Sequence, residues 1–498
     1  MTGVSGPPDG GLGSAVARSV GWVVLERWGS RLLQIAVIAL LTRLVAPEAF
    51  GIISLATAVS AVLLVFVDSG LSKSLIQVET LKPKDASTAF WTAMALAVVL
   101  YAALFAAAPL LSQLLGESEL TPVLRVMGAG LIISALSQAP AALLERSFGF
   151  KTLSIRQLIA ATVGSVAAVP VALLGGGVWA LVVQTLTTSV VAFIVLWAAT
   201  SWRPRFEFSV DSLRRLWRVG LSVMGTELLD AVQGNVDKLV IGFAFSAETL
   251  GYYFVAQRVG MILTELVTTV MSRVSLTTFS RVQTEPERLN RIFRQMTFIA
   301  GLIAIPVFMI AAAFAPQIVP VVFGDGWEQS IPILWGLAAG WGVGAVMYFD
   351  RTVLLASGHA GSAFVVAAVQ NAVGVALLFA LLPFGLVGVV ISRWARIFVW
   401  PFRLWILKRA IGLRVTSYVR QVAIVVVAAV PLTVAIAFLQ TTEWATSEWA
   451  LLTFAVPMGA VSVILYGLIV WLIAGVENRE TIRSTVRRLP FGRRRGKS

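Results

Sequence analysis

Fourteen segments of this chain run apolar for about the length of a bilayer-crossing helix, roughly 20 residues. They lie near 20–44, 50–72, 88–113, 122–144, 155–174, 178–199, 213–235, 239–263, 292–316, 328–350, 361–382, 385–406, 420–439 and 448–474. Few hold a charge near the middle, and the scattered prolines and glycines are tolerated in spanning helices. Across 498 residues, 58% are hydrophobic and 13% charged. A soluble domain carries about 25% charged residues and could not hide so much apolar surface. The surplus must face lipid. That excludes a cytosolic enzyme, a secreted globular protein and a disordered regulator.

Charge placement tests the count. Lys73, Lys82 and Lys84 follow the second segment, and Arg146, Lys151 and Arg156 follow the fourth, with Arg156 just inside the fifth. Arg203, Arg205, Arg214 and Arg215 follow the sixth, Arg273, Arg281, Arg288 and Arg291 the eighth, and Lys408, Arg409 and Arg414 the twelfth. The tail holds Arg479, Arg483, Arg487, Arg488 and the run Arg493, Arg494, Arg495. The alternate connections carry Glu48, Glu117, Glu119, Glu248, Asp325, Glu328, Glu443 and Glu448 instead. Lys and Arg mark cytoplasmic loops, so both termini are expected in the cytoplasm with an even number of spans. The net charge of +14 then reads as topology, not as nucleic-acid binding. The first twenty residues show no signal-peptide pattern, and the first helix is expected to act as the insertion signal.

The chemistry available is narrow. There is no Cys, and the single His359 cannot make a histidine metal site, so no metal or cofactor is expected. No GxxxxGK[ST] phosphate loop is present, and the longest expected loop, of about 28 residues, leaves no room for an ATPase domain. A membrane glycosyltransferase or polymerase would need larger loops with acids and histidines.

An internal repeat is visible. RLVAPEAFGIISLATAVSAVL at 43–63 aligns with FAFSAETLGYYFVAQRVGMIL at 243–263, which sets Glu48, Phe50 and Gly51 against Glu248, Leu250 and Gly251. APLLSQLLGESELTPVL at 108–124 parallels APQIVPVVFGDGWEQSIPIL at 315–334, and Leu144-Glu145-Arg146 parallels Phe349-Asp350-Arg351. Segments one to six therefore repeat as seven to twelve in the same orientation, one of the two transporter symmetries. The expected division is a tail at 1–19, bundles at 20–199 and 200–410, two further helices at 411–475 and a basic tail at 476–498.

TRLVAPEAFGIISLA after the first segment resembles the signature of polysaccharide transport proteins, the lipopolysaccharide exporter and O-antigen flippase branch of the multidrug/oligosaccharidyl-lipid/polysaccharide exporter superfamily. VDKLVIGFAFSAETLGYYFVAQRV at 236–259 and FGDGWEQSIPILWGLA at 323–338 are similar to its second-half elements. The resemblance covers residues 20 to about 475. It implies an all-α polytopic fold of about fourteen spans, in which two six-helix bundles form a V around a central cavity and two helices are added at the C-terminus. It further implies a non-enzymatic inner-membrane flippase for polyprenyl-pyrophosphate-linked oligosaccharides. Such a protein would work in membrane lipid beside polymerases and glycosyltransferases. A lipid II flippase, a multidrug or ion antiporter, and a membrane polymerase or ligase are the alternatives.

Charges inside spanning helices are costly and should face a cavity or a partner. Arg27 and Arg31 lie four apart on one face of the first segment, and their forked guanidiniums suit a pyrophosphate. Either they line a cavity with Arg258, or they snorkel to headgroups. Glu227, Asp230, Gln233 and Asp237 keep broadly to one side of the seventh segment. Two roles fit these acids: coupling to a proton or Na⁺ gradient, or neutralising the arginines, with Asp237 solvated at the outer end. Asp68 is either a gate residue or a helix-end residue. Arg351 and Asp350 resemble Arg146 and Glu145 as interface anchors or gate pairs. Snorkelling accounts for Arg403. The tryptophans, among them Trp22, Trp202, Trp217, Trp327 and Trp449, read as interfacial belts, and the tail as a binder of anionic lipid.

Overall fold

A computed structural model describes residues 34–68, 70–440, 456–475 and 478–479. Among these residues there are helices and short connections and no strand. The chain divides into two compact units, Met1–Gly251 and Tyr252–Ser498.

The first unit holds α1 (Gln34–Leu44), α2 (Pro47–Asp68), α3 (Leu71–Gln77), α4 (Pro83–Leu115), α5 (Leu120–Arg146), α6 (Phe150–Leu173), α7 (Val178–Ala199) and α8 (Val210–Ala244). It also holds the first turn of α9 (Ala247–Arg281). The second unit continues with α10 (Pro286–Ala313), α11 (Ala315–Phe323), α12 (Ser330–Val346), α13 (Tyr348–Ala356) and α14 (Ala360–Leu381). It ends with α15 (Gly385–Ser392), α16 (Ala395–Phe398), α17 (Trp400–Ile411), α18 (Val415–Gln440) and α19 (Val456–Ile473).

Eight helices among the described residues are long and apolar enough to cross a membrane. Shorter apolar helices at Gln34–Leu44, Val415–Pro431 and Pro457–Ile473 fall on the first, thirteenth and last sequence segments. The protein is an all-α polytopic membrane protein.

The expected seventh and eighth segments, 213–235 and 239–263, are too short. Ser209 caps α8 by accepting the Ser212 N–H at 3.3 Å, and α8 runs 35 residues. The turn falls at Phe245-Ser246, 200 residues after the Val45-Ala46 turn between α1 and α2. Phe245 N bonds Ile241 O as Val45 N bonds Leu41 O, each at 2.9 Å. No Pro or Gly interrupts the chain from Met261 to Arg281, so most of the expected long loop is helix. The tenth and twelfth segments break instead of running straight, at Met347 and between α15, α16 and α17.

Lipid tails are as apolar as leucine, so helices in a bilayer associate through close packing rather than through exclusion from water. The first unit accordingly buries small residues, among them Ala56, Ala58, Ala97, Ala135, Ala160 and Ala180. Gly51 and Gly251 are among the glycines that close backbone contact requires. A Cβ on Gly51 would stand 1.8 Å from the Ala247 carbonyl oxygen, and one on Gly251 would stand 1.9 Å from that of Pro47. The first turns of α2 and α9 thus cross backbone to backbone, each through the other's glycine. The second unit uses rings: Phe293 stacks on Tyr418 at 5.5 Å, and Phe279 meets Phe349 edge-on at 6.0 Å.

Candidate functional site

The acidic and basic connections of the first unit gather at different ends. Glu117, between α4 and α5, accepts the Ala247 N–H at 3.1 Å, beside the α2–α9 crossing. Burial holds the Glu117 carboxyl above its usual range, helped by Glu48 and Glu119 and opposed by the Ala247 N–H. At the other end Arg146 donates to the carbonyls of Leu75, Ile76, Val78 and Glu79 at 2.6–3.1 Å. It thereby satisfies the orphan carbonyls that end α3. Arg215 pairs with the fully buried Asp85, whose Oδ2 also accepts the Lys82 N–H at the start of α4. Trp91 donates to Arg205 O at 2.8 Å. The connections after the second, fourth and sixth segments therefore meet at one end.

The sequence paired Arg146 with Glu145 as an anchor or gate; the structure gives it backbone carbonyls. Trp202 and Trp217 pack against a buried cluster of Leu71, Leu75, Phe90 and Leu216, and Trp327 is 1% exposed, edge-on to Tyr252. These three sit in protein contacts rather than in an open belt. Trp22 and Trp449 lie outside the described residues.

The acids of α8 separate. Glu227 pairs with Lys73 of α3, with both side chains partly exposed. Asp230 is exposed and Asp237 is 1% exposed, so Asp237 is not the solvated outer residue that its position suggested. Asp68, at the end of α2, has a buried Oδ1 without a hydrogen bond. Arg27 and Arg31 lie outside the described residues. Arg258 is half-buried on α9.

The second unit holds a buried charge pair. Arg403 Nη2 of α17 stands 2.9 Å from Asp350 Oδ2 of α13, off-line for a hydrogen bond but an ion pair by distance. The same Nη2 donates to Met347 O at 3.1 Å, and Nη1 donates to Gln370 Oε1 at 3.1 Å. Tyr418 of α18 donates its hydroxyl to Asp350 Oδ1 at 3.3 Å. The Met347 carbonyl at the α12–α13 break also accepts the Asp350 N–H at 3.4 Å, and the arginine adds a second donor to it while neutralising the acid. Arg351 stays exposed, so Asp350 is paired across helices rather than with its chain neighbour. Arg403 is 5% exposed and does not snorkel.

Each unit holds a cavity among its described residues. In the second unit α10, α12 and α18 enclose about 430 Å³ of nearly wholly apolar space, with Phe308, Met309 and Trp335 in its wall. In the first unit α2, α5, α6 and α7 enclose about 340 Å³ lined by hydroxyls and by Arg156. The sequence placed Arg156 just inside the fifth segment, and it lies six residues inside α6, about 9 Å along the helix. The serines and threonines of α2, α5 and α7 recur at helical spacing, and that signal could have found the cavity.

Residues 40–332 match a family described as polysaccharide biosynthesis protein. The succinoglycan biosynthesis transport protein ExoT of Rhizobium meliloti (strain 1021) is 28% identical over 66% of this chain and 66% of its own length. The teichuronic acid biosynthesis protein TuaB of Bacillus subtilis (strain 168) is 24% identical over 60% of this chain and 62% of its own. The matched region thus spans just under two thirds of these relatives. Among solved structures, the lipid II flippase MurJ in an inward closed conformation shares the fold, with a TM-score of 0.73 at 13% identity, over 91% of this chain and 99% of MurJ.

Proposed function

This chain belongs to the polysaccharide biosynthesis protein family, and from that premise we propose that it is a flippase, not an enzyme. Its cargo in this reading is a polyprenyl-pyrophosphate-linked oligosaccharide, carried across the bacterial inner membrane by alternating access. The family match over residues 40–332 carries the reading. The many apolar helices and the transport named for the succinoglycan relative support it.

The bundles at 20–199 and 200–410 are the moving halves, and both termini lie in the cytoplasm. Residues 411–475 add two helices, and the 476–498 tail touches anionic lipid. Arg27, Arg31 and Arg258 hold the pyrophosphate, because guanidinium forks match paired phosphate oxygens. Glu227, Asp230, Asp237 and Asp68 form the coupling group. Loss of the Glu227 charge releases Lys73 and loosens α3 from α8. Asp350 and Arg351 belong to the gate, with Asp350 held by Arg403. Polymerases and glycosyltransferases that handle the same lipid-linked glycan are the partners.

Reconstitution into vesicles with a fluorescent lipid-linked oligosaccharide tests this. Wild type moves the lipid, and Arg27→Ala/Arg31→Ala slows it at least tenfold. No movement by wild type overturns the reading, and an unchanged double variant removes the arginines' role. Glu227→Gln and Asp230→Asn flatten the dependence on a proton or Na⁺ gradient; an unaltered dependence leaves those acids as structural counter-ions.

A further inference from the structure

We propose that the cavity enclosed by α2, α5, α6 and α7 is a binding site for a single oxyanion borne on a polyhydroxylated group, with Arg156 as its cation. Six hydroxyls face it: Thr57 and Ser60 of α2, Ser134 and Ser137 of α5, and Thr185 and Ser189 of α7. Their three- and four-residue spacings set each pair on one face of its helix.

These hydroxyls divide by what they can still do. Thr57, Ser137, Thr185 and Ser189 donate to carbonyls of their own helices at 2.9–3.0 Å, which leaves their oxygens as acceptors toward the cavity. Ser60 Oγ is buried without a partner, and Ser134 makes no hydrogen bond to a described residue, so both keep donors free. Arg156 Nε is likewise buried without a partner. No hydrogen bond or ion pair from a described residue reaches that side chain. The wall therefore offers one fixed positive charge, two free donors and a ring of acceptors.

An uncompensated guanidinium inside a helix bundle is expensive, and such a residue marks a functional site by default. A carboxylate or a phosphate monoester presents two coplanar oxygens to the guanidinium fork. The remaining acceptors call for a ligand with many hydroxyl donors. A sugar acid or a sugar phosphate carries both, and the volume of about 340 Å³ lies in the range of small-ligand pockets, roughly 300–1,000 Å³. A neutral sugar would leave Arg156 uncompensated. A bare inorganic ion would leave the acceptor ring unused. The site itself does not depend on the flippase reading; identifying its ligand with an acidic unit of a transported glycan rests on that reading.

The test uses the purified full chain in detergent, titrated with glucuronate, glucose 1-phosphate, inorganic phosphate and glucose by calorimetry and thermal shift. Either sugar anion, or both, binds wild type at least tenfold more tightly than glucose or inorganic phosphate, and which one binds tells a carboxylate from a phosphate ligand. Arg156→Gln abolishes the binding, Arg156→Lys weakens it, and Ser60→Ala/Ser134→Ala weakens it several-fold. Equal binding of inorganic phosphate, or binding untouched by Arg156→Gln, overturns the proposal. So does a fall in melting temperature of unliganded Arg156→Gln, because removing a charge that has no partner should leave the apo protein at least as stable. In vesicles, wild type then moves a lipid-linked oligosaccharide bearing an acidic sugar faster than its neutral counterpart, and Arg156→Gln erases the difference. Failure to move either lipid strikes the flippase reading while the titrations still decide the site.

Discussion

Asp350 and Arg403, 53 positions apart in the chain, form an ion pair at 2.9 Å with side chains 2% and 6% exposed. The pair joins α13 to α17, and Tyr418 brings in α18. Three helices thus meet on two opposite charges at the point where the tenth segment breaks.

The first prediction concerns that pair. Arg403→Ala or Asp350→Ala leaves a buried charge alone and costs about 3–5 kcal/mol. Asp350→Leu/Arg403→Met recovers most of the loss, because opposite charges in a dry site roughly offset their own desolvation. Melting of the three variants in detergent checks this. Equal destabilisation of the single and double variants would show that the carbonyl of Met347 matters more than the charge balance.

The α2–α9 crossing predicts a graded glycine series. Gly51→Ala and Gly251→Ala each drive a methyl into a backbone carbonyl and cost roughly 1–3 kcal/mol. Gly242→Ala meets a Leu55 side-chain methyl at 2.3 Å, which can rotate away, and costs less. The ranking of melting temperatures decides; a Gly242 variant as damaged as the other two contradicts the backbone crossing.

Arg146 bonds four carbonyls through two nitrogens. Charged hydrogen bonds are each worth about 1.5–3 kcal/mol, and Arg146→Ala is expected to lose about 2 kcal/mol after relaxation. Arg146→Lys restores less than half of this, since a point charge cannot bridge the set. Hydrogen exchange should rise first at Leu71–Gln77. Full rescue by Lys would mean that charge alone acts there.

Glu117 predicts a pH dependence of the α9 start. Its carboxyl is raised above the ordinary range mainly by burial, so folding favours the neutral form. The linked stability is present below the usual carboxylate range and declines as pH rises through the raised value. Exchange protection at the first turn of α9 should therefore grow on acidification into that window. In Glu117→Gln the growth disappears. Parallel curves for the two proteins would remove the titration.

The repeat shows how far the residues alone reach. Matching Glu48-x-Phe-Gly to Glu248-x-Leu-Gly located two turns that the structure places 200 residues apart, at 45–46 and 245–246. Segment ends were less legible. The start of α8 depends on capping by Ser209, which does not alter mean apolarity.

Hydropathy and charge are sums over neighbours in the chain, so the sequence by itself determined a lipid-embedded helical protein, its alternation of basic and acidic connections, and its doubled plan. Which charge meets which depends on helix rotation and on breaks such as the one at Met347. Only the tertiary structure decided that Asp350 takes Arg403 rather than Arg351, that Arg146 ends a helix, and that Arg156 points into a hydroxyl-lined hollow. A rotation of about 100° per residue carries a side chain from lipid to core within one position.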